Sequence, residues 1–416
     1  MLRRRVARGK EVAARLPERF GLEASSRPPG TLIWLHAASV GETVSVLPVI
    51  HALHIAGVGV LVTTGTVTSA TLLAQRCPAA EYPRLLHRFV PLDVPRWAAR
   101  FLDHWRPDAA AFLESELWPN LLAACTARGV PLMLLNARMS EQSRLGWARW
   151  PGFARCVLGA FDAVWAQSAD DAQRLAALGA RGVCAPGNLK FAAAPLPADQ
   201  AVLAALLAAL GDRPRWLAAS THPGEEAVVA SIHHRLAARH PGLLTIIAPR
   251  HPARGPSVGA EIDAPCRSDG TGPPPGGLWV ADTLGELGLL YRLCPIVFVG
   301  RSLAPPPAGG GQNPLEPARL GCAVAAGPHM ENQADAVARL SDTGALATLA
   351  DAAALEAWVD AMLRDPKRVA EMGQVGSRVA DADAGLPARA ASALLAMAKA
   401  VADAKVEALA KMGVRG

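Results

Sequence analysis

Short apolar runs alternate with longer stretches of helical period along this chain of 416 residues. The runs at 31–37, 58–63, 87–90, 108–113, 131–136 and 162–167 predict strands. The stretches at 43–55, 67–76, 95–104, 119–128 and 169–178 predict helices between them. This βαβ rhythm belongs to the α/β class, with a mostly parallel sheet covered on both faces. It pauses at residues 191–200 (FAAAPLPADQ), where two prolines among small residues predict a linker. It resumes with strands predicted at 215–219, 243–248, 277–281, 295–300, 322–326 and 345–348. The expected organisation is a basic segment at 1–20, a first α/β half at 21–194 and a second at 195–416. In such architecture ligands sit at the carboxyl ends of strands and in the cleft between halves. The stretches 270–277 (GTGPPPGG) and 305–311 (PPPAGGG) predict loops, and the tail from Pro387 an alanine-rich helix kept with the second half.

Composition narrows the class. Hydrophobic residues make up 51% of the chain and charged ones 19%, which supports sizeable cores and excludes disorder. The uncharged stretch from Thr43 to Gln75 is interrupted by Pro48, His51, His54, Gly57, Gly59 and Thr63-Thr64-Gly65-Thr66. It reads as helix, turn and strand in a core, not as a membrane span. The seven cysteines form no CxxC pair and no zinc-spaced cluster with histidine, so they read as reduced, mostly buried thiols.

Charge is concentrated at one end. The formal net charge is +6, and residues 1–20 carry five of it through Arg3, Arg4, Arg5, Arg8, Lys10, Arg15 and Arg19 against Glu11 and Glu18. No aromatic residue interleaves these cations before Phe20, so a nucleic-acid partner is not expected. An anionic membrane surface and a solvated basic tail are the two readings. The leader has no apolar core of the kind a signal peptide needs.

The candidate chemistry falls just after predicted strands. Ser39-Val40-Gly41-Glu42 places a carboxylate on a glycine turn, where it either takes a proton from a substrate hydroxyl or complements a helix dipole. Glu114 and Glu116, two apart after the run 109–113, share a side if that segment is extended. Asn136-Ala137-Arg138 and Gly187-Asn188-Leu189-Lys190 follow further strands, with Lys190 close to the predicted hinge. In the second half, Ser220 to Glu226 opens a helix whose amides either bind an anion or are capped locally. Pro249-Arg250 brings a two-pronged cation to a strand end. Asp282-Thr283-Leu284-Gly285-Glu286 and Asn313-Pro314-Leu315-Glu316 have cap-like spacing. Glu316, after the glycines 309–311, also suits the two hydroxyl donors of a ribose. No G-x-G-x-x-G fingerprint or Walker loop occurs, which disfavours dehydrogenases and P-loop enzymes.

Taken in order, HAASVGE (36–42), ESELWPNL (114–121), NARMSE (136–141), GNLKF (187–191), STHPGEE (220–226), PRHP (249–252), DTLGELGLLY (282–291), NPLEPA (313–318) and GPHM (327–330) resemble the 3-deoxy-D-manno-octulosonic acid (Kdo) transferases. The resemblance implies a B-type glycosyltransferase fold, two Rossmann-like domains with an interdomain cleft. It implies transfer of Kdo from CMP-Kdo to the lipid A precursor of lipopolysaccharide, with inversion and with neither metal nor cofactor. It puts the proton acceptor on Glu42, the supporting carboxylate on Glu114 and the supporting lysine on Lys190. CMP contacts are implied at Pro249, Arg250, Leu284, Gly285, Glu286, Asn313, Pro314, Leu315 and Glu316. The implied place is the cytoplasmic face of the bacterial inner membrane, with peripheral attachment. Two departures stand out: Gln312 where the family commonly has histidine, and Arg301 after Gly300 where it commonly has a second glycine. Two other classes remain as alternatives: a B-type enzyme for UDP-sugars, and a catalytically dead binding scaffold.

Overall fold

The computed structural model describes residues 2–192, 194–270, 272–305 and 307–413. The Arg3 side chain, Thr271 and Pro306, all in segments named above, lie outside the described residues. The chain divides into two compact units, one made of residues 1–193 with 383–416, the other of 194–382.

The first unit is built on seven parallel strands: β1 (Leu32–His36), β2 (Gly59–Thr64), β3 (Leu85–Phe89), β4 (Ala109–Leu113), β5 (Leu132–Ala137), β6 (Ala163–Ala166) and β7 (Val183–Cys184). Their order is β3-β2-β1-β4-β5-β6-β7. Side chains alternate across a strand, and β1 serves both faces of the sheet. Leu32 and Trp34 enter one core with Leu61, Phe101, Trp105 and Phe112. Ile33 and Leu35 enter the other with Val46, Val49, Leu53 and Val62. Strands buried on both faces read as continuous apolar runs, which is why the sequence exposes them. Ser39, Thr66, Ser140 and Ser168 cap the helices that follow with side-chain oxygens. Pro95, Pro119 and Pro151 open three more at the position where a missing N–H costs nothing.

The second unit holds six parallel strands: β8 (Arg215–Thr221), β9 (Leu244–Pro249), β10 (Gly277–Val280), β11 (Ile296–Val299), β12 (Ala323–Ala326) and β13 (Leu346–Thr348). They are ordered β10-β9-β8-β11-β12-β13. One face packs Trp216, Ile247, Val280 and Phe298 against Val229, Leu236 and Val359. The α/β class and the two Rossmann-like sheets are as the sequence implies.

Two expectations need correction. The terminal helix, Leu386–Gly413, does not belong with the second unit. Leu386, Ala390 and Leu394 are buried in the first unit's core beside Ile33, Val49 and Leu53. An apolar helical stripe needs a cover but does not say which sheet supplies it. The leader, likewise, is not a free basic arm. Arg19 is buried and forms two hydrogen bonds to Glu11, at 3.1 Å each, and reaches the carbonyls of Val90 and Gly65. Arg15 pairs with Glu18 at 2.7 Å and with the His87 carbonyl at 3.1 Å, and Arg5 pairs with Glu11 at 3.0 Å. Arg15 fastens the leader to β3, the edge of the sheet, and Arg19 to the segments just after β2 and β3, while Arg4, Arg8 and Lys10 stay exposed. Among the described residues no helix is long and apolar enough to cross a membrane.

Candidate active site

In each sheet the strand order reverses once, between β1 and β4 in the first and between β8 and β11 in the second. Open α/β sheets bind ligands outside the carboxyl ends of the strands at such points. The residues singled out from sequence lie on the loops leaving those ends.

In the first unit Glu42 is the third residue of the helix Val40–Ile55 that follows β1. The helix starts there because Ser39 accepts a hydrogen bond from the Glu42 N–H at 3.3 Å, while the Ser39 hydroxyl donates to Glu42 Oε1 at 2.6 Å. The Ala38 N–H donates to Glu42 Oε2 at 2.8 Å. The dipole reading of this residue is therefore correct locally, but it is incomplete. The carboxylate is buried, and burial pushes its pKa above the usual value. The Ser39 and Ala38 hydrogen bonds oppose that rise, and the charges of Glu116 and Glu114 add to it.

Glu114 follows β4 in the left-handed region, at φ 51°. The segment is a turn and not an extended strand, yet both carboxylates act on Glu42. Each has its own partner. Lys190 Nζ stands 3.0 Å from Glu114 Oε1. Glu116 Oε2 accepts from Trp118 Nε1 at 2.6 Å and lies 3.4 Å from His36 Nε2. Burial works against the Glu116 charge, yet the His36 ring and the Trp118 N–H hold its pKa below the ordinary range.

Lys190 is placed by a series of amides. It sits in the short 3₁₀ turn Leu189–Phe191, capped by Asn188 Oδ1 on the Lys190 N–H at 3.0 Å. Asn188 Nδ2 donates to Gln167 Oε1 at 3.2 Å, and Gln167 Nε2 donates to the Asn136 carbonyl at 3.0 Å. Asn136, buried and left-handed at φ 55°, accepts the Leu189 N–H on Oδ1 at 2.9 Å. Gly187 has φ 129°, and a Cβ there would collide with the Asp383 carboxylate. The first unit thus brings Glu42, Glu114 and Lys190 to one edge of its sheet. His36 and Gln167 were not foreseen as participants, since both stand at the ends of predicted strands and neither was assigned a role.

In the second unit Pro249 ends β9, and the exposed Arg250 follows with its N–H on the Thr221 carbonyl at 3.0 Å. Asn313 turns the chain into the helix Leu315–Arg319, through Oδ1 on the Leu315 N–H at 3.1 Å and Nδ2 on Glu316 Oε1 at 3.3 Å. Burial raises the Glu316 pKa, against the lowering pull of the Asn313 hydrogen bond and the nearby Arg319 and Arg250 charges. Leu284 is 88% exposed and Gly285 is left-handed at φ 84°. Glu286 is already engaged: Arg267 holds its carboxylate at 2.5 and 2.7 Å, Thr283 donates to it, and Arg267 keeps its pKa low. The glycines 310 and 311 have a structural cause, because a Cβ at either would strike Asn332 or Met330.

The helix Glu225–Ala237 has a less open end than its sequence suggests. Glu225 is buried and accepts four backbone N–H groups, from His222 at 2.9 Å, Arg301 at 2.7 Å, Ser302 at 2.9 Å and Leu303 at 3.2 Å. It ties the loop after β11 to the loop after β8. Among the described residues no group of three or more His, Cys, Asp or Glu side chains is placed to hold a metal ion.

Comparison with known proteins completes the picture. The profile described as 3-Deoxy-D-manno-octulosonic-acid transferase (kdotransferase) matches residues 14–193. The 3-deoxy-D-manno-octulosonic acid transferase of Bordetella pertussis is 36% identical over 396 residues, which is 91% of this chain and 90% of that protein. The Arabidopsis thaliana protein described as "Probable 3-deoxy-D-manno-octulosonic acid transferase, mitochondrial" is 34% identical over 387 residues, 88% of this chain and 85% of its own. A solved glycosyltransferase from Rickettsia africae covers 87% of this chain and 97% of its own at TM-score 0.51 and 13% identity, a likeness of fold alone. The fold is that of the B-type glycosyltransferases.

Proposed function

Because the chain belongs to the 3-deoxy-D-manno-octulosonic acid transferase family, we propose that it moves Kdo from CMP-Kdo to a glucosamine hydroxyl of the lipid A precursor. In this proposal the reaction inverts the anomeric carbon and needs no metal ion. Glu42 carries the reading: a buried carboxylate at the reversal point of the first sheet, whose pKa is raised by burial. A base works best with a pKa drawn toward the operating pH. Glu42 takes the proton of the acceptor hydroxyl as its oxygen bonds to the anomeric carbon. The bond from that carbon to the phosphate oxygen breaks on the opposite side, and CMP leaves with the electron pair.

Lys190 and Glu114 support this step as a pair. The ammonium, steadied at 3.0 Å by the carboxylate, offers a fixed positive charge to the charge that develops. The second unit holds the nucleotide through Pro249, Arg250, Leu284, Gly285, Glu286, Asn313, Pro314, Leu315 and Glu316. Arg250 suits a phosphate or carboxylate, and the half-buried Glu316 suits a ribose diol. Since the Glu286 carboxylate is bound to Arg267, its contribution to CMP falls to its backbone.

Peripheral attachment to the cytoplasmic face of the inner membrane belongs to the same proposal. Exposed side chains of the first unit support it. Leu145, Trp150 and Phe153 are 53%, 71% and 51% exposed, beside the exposed Arg149 and Arg155, which make no ion pair among the described residues. Trp, Phe and Arg together favour the headgroup layer of a bilayer. The test is to incubate the purified protein with CMP-Kdo and lipid A precursor and follow the acceptor mass. Addition of Kdo supports the reading. Turnover of a UDP-sugar with no use of CMP-Kdo refutes it.

A further inference from the structure

We propose that Arg301 forms an anion subsite in the second unit and reads the carboxylate of the donor sugar; this rests on the CMP-Kdo reading above. Arg301 leaves the end of β11, at the point where the second sheet reverses its order. Its backbone is fully used. The N–H donates to Glu225 at 2.7 Å, and the carbonyl accepts from the Gly311 N–H at 2.8 Å. The side chain is not used in the same way. Among the described residues, the buried Nε has no hydrogen-bond partner, and the guanidinium reaches the Pro307 carbonyl at 3.4 Å.

Arg301 is also left-handed, at φ 59°. A glycine would take that conformation without strain, whereas an arginine pays for its Cβ. Strain of this kind is kept where a side chain has work to do. The carboxylates nearest in the fold are not free to receive the guanidinium. Glu225 is saturated by backbone N–H groups, and Glu226 accepts from Arg254 at 2.8 Å and Thr221 at 3.0 Å. Among the described residues Arg301 makes no ion pair.

The Arg301 carbonyl is tied to Gly311, two residues before the proposed nucleotide segment. His222 feels the Arg301 charge, and Gln312 Nε2 lies 3.4 Å from His222 Nε2. Gln312 leads directly into Asn313–Glu316. Arg301 and Gln312 are the two departures from the family pattern, and both act on the same histidine, His222. An octulosonic acid carries a carboxylate that CMP lacks, and a guanidinium binds such a group with two parallel hydrogen bonds.

The experiment compares the full-length wild type with Arg301→Gly, Arg301→Gln and Arg301→Lys. It measures the KM for CMP-Kdo, the Kd for CMP and the Tm. Removing the side chain in the Gly and Gln variants should raise the donor KM about ten- to hundredfold, as loss of a charged hydrogen-bonded pair does. CMP affinity should stay within about twofold of wild type, and Arg301→Lys should recover part of the loss. Arg301→Gly should lose no thermal stability, because it relieves the left-handed conformation. An unchanged donor KM in both the Gly and Gln variants overturns the proposal. An equal loss of CMP affinity overturns it too, since the arginine would then read the nucleotide phosphate. Wild-type turnover of CMP-Kdo is the separate control: its absence defeats the donor reading itself, whatever the variants do.

Discussion

Glu42→Gln is the substitution that bears most directly on the proposed mechanism. The amide is isosteric, and each polar neighbour retains a partner. Its oxygen still accepts the Ala38 N–H, now at 2.8 Å from Oε2, and its NH₂ faces the Ser39 hydroxyl, which turns from donor to acceptor. The exchange of one hydrogen bond costs about 1 kcal/mol. Charge acts in the other direction. Burial, with Glu116 and Glu114 assisting against Ser39 and Ala38, raises the folded-state pKa of Glu42 above 4.5. Folding therefore favours the protonated form. That contribution is complete below the ordinary carboxylate value and is lost as pH rises through the folded one. At pH 7–8 the neutral amide avoids the penalty, so the Tm of the variant should equal or exceed that of the wild type. Transfer should fall about 10²–10⁴-fold, the usual worth of a general base, or roughly 3–5 kcal/mol of barrier. Single-turnover assays with mass detection read the rate, and a thermal melt at pH 8 reads the fold. In the wild type the acid limb of kcat/KM should break above pH 4.5, and in the variant it should flatten. Near-normal transfer by a folded variant would remove Glu42 from the chemistry, and a collapse of Tm would show that the carboxylate is structural.

Four further outcomes are expected. Lys190→Ala breaks a partly exposed ion pair worth at most about 1 kcal/mol, so Tm should barely move while kcat falls at least about tenfold; an unchanged kcat would leave the pair without a role. Leu394→Ala removes a fully buried side chain of the terminal helix and should cost about 2–5 kcal/mol, read by denaturant unfolding, and unaltered stability would contradict the docking of that helix on the first sheet. Trp150→Ser with Phe153→Ser should weaken sedimentation with anionic vesicles and spare transfer to a water-soluble acceptor fragment; equal vesicle binding would count against the membrane reading. Exhaustive treatment with EDTA should leave the transfer rate unchanged, and a loss restored by a divalent ion would reverse the proposal of a metal-free reaction.

Much of the architecture was legible because both faces of each sheet are covered. Strands such as Leu32–His36 and Leu244–Pro249 are buried end to end, and they show as unbroken apolar runs. β7, Val183–Cys184, is too short to carry such a signal and was missed. The helix after Pro387 was visible, but its docking partner was not, since local period carries no information about distant faces. The leader misled for a similar reason: Arg19 and Glu11 look like solvated charges until the fold buries them together. At the candidate site, the position of Glu42 after a strand was readable. The pairing of Lys190 with Glu114 spans distant segments, and the left-handed turns at Glu114 and Arg301 fall on residues that ordinarily avoid that conformation.

The second unit is spliced into the first, and this sets an order of completion during synthesis. Residues 1–193 emerge earliest, but one face of their sheet lacks Leu386, Ala390 and Leu394 until the end of the chain appears. The middle, made later, has all of its own strands before then. The earlier-made of the two units is therefore the later to close. A chain clipped or stalled ahead of the helix Leu386–Gly413 leaves the core around Ile33, Val49 and Leu53 without part of its cover, an apolar face of the kind that draws chaperones or clumps with its neighbours.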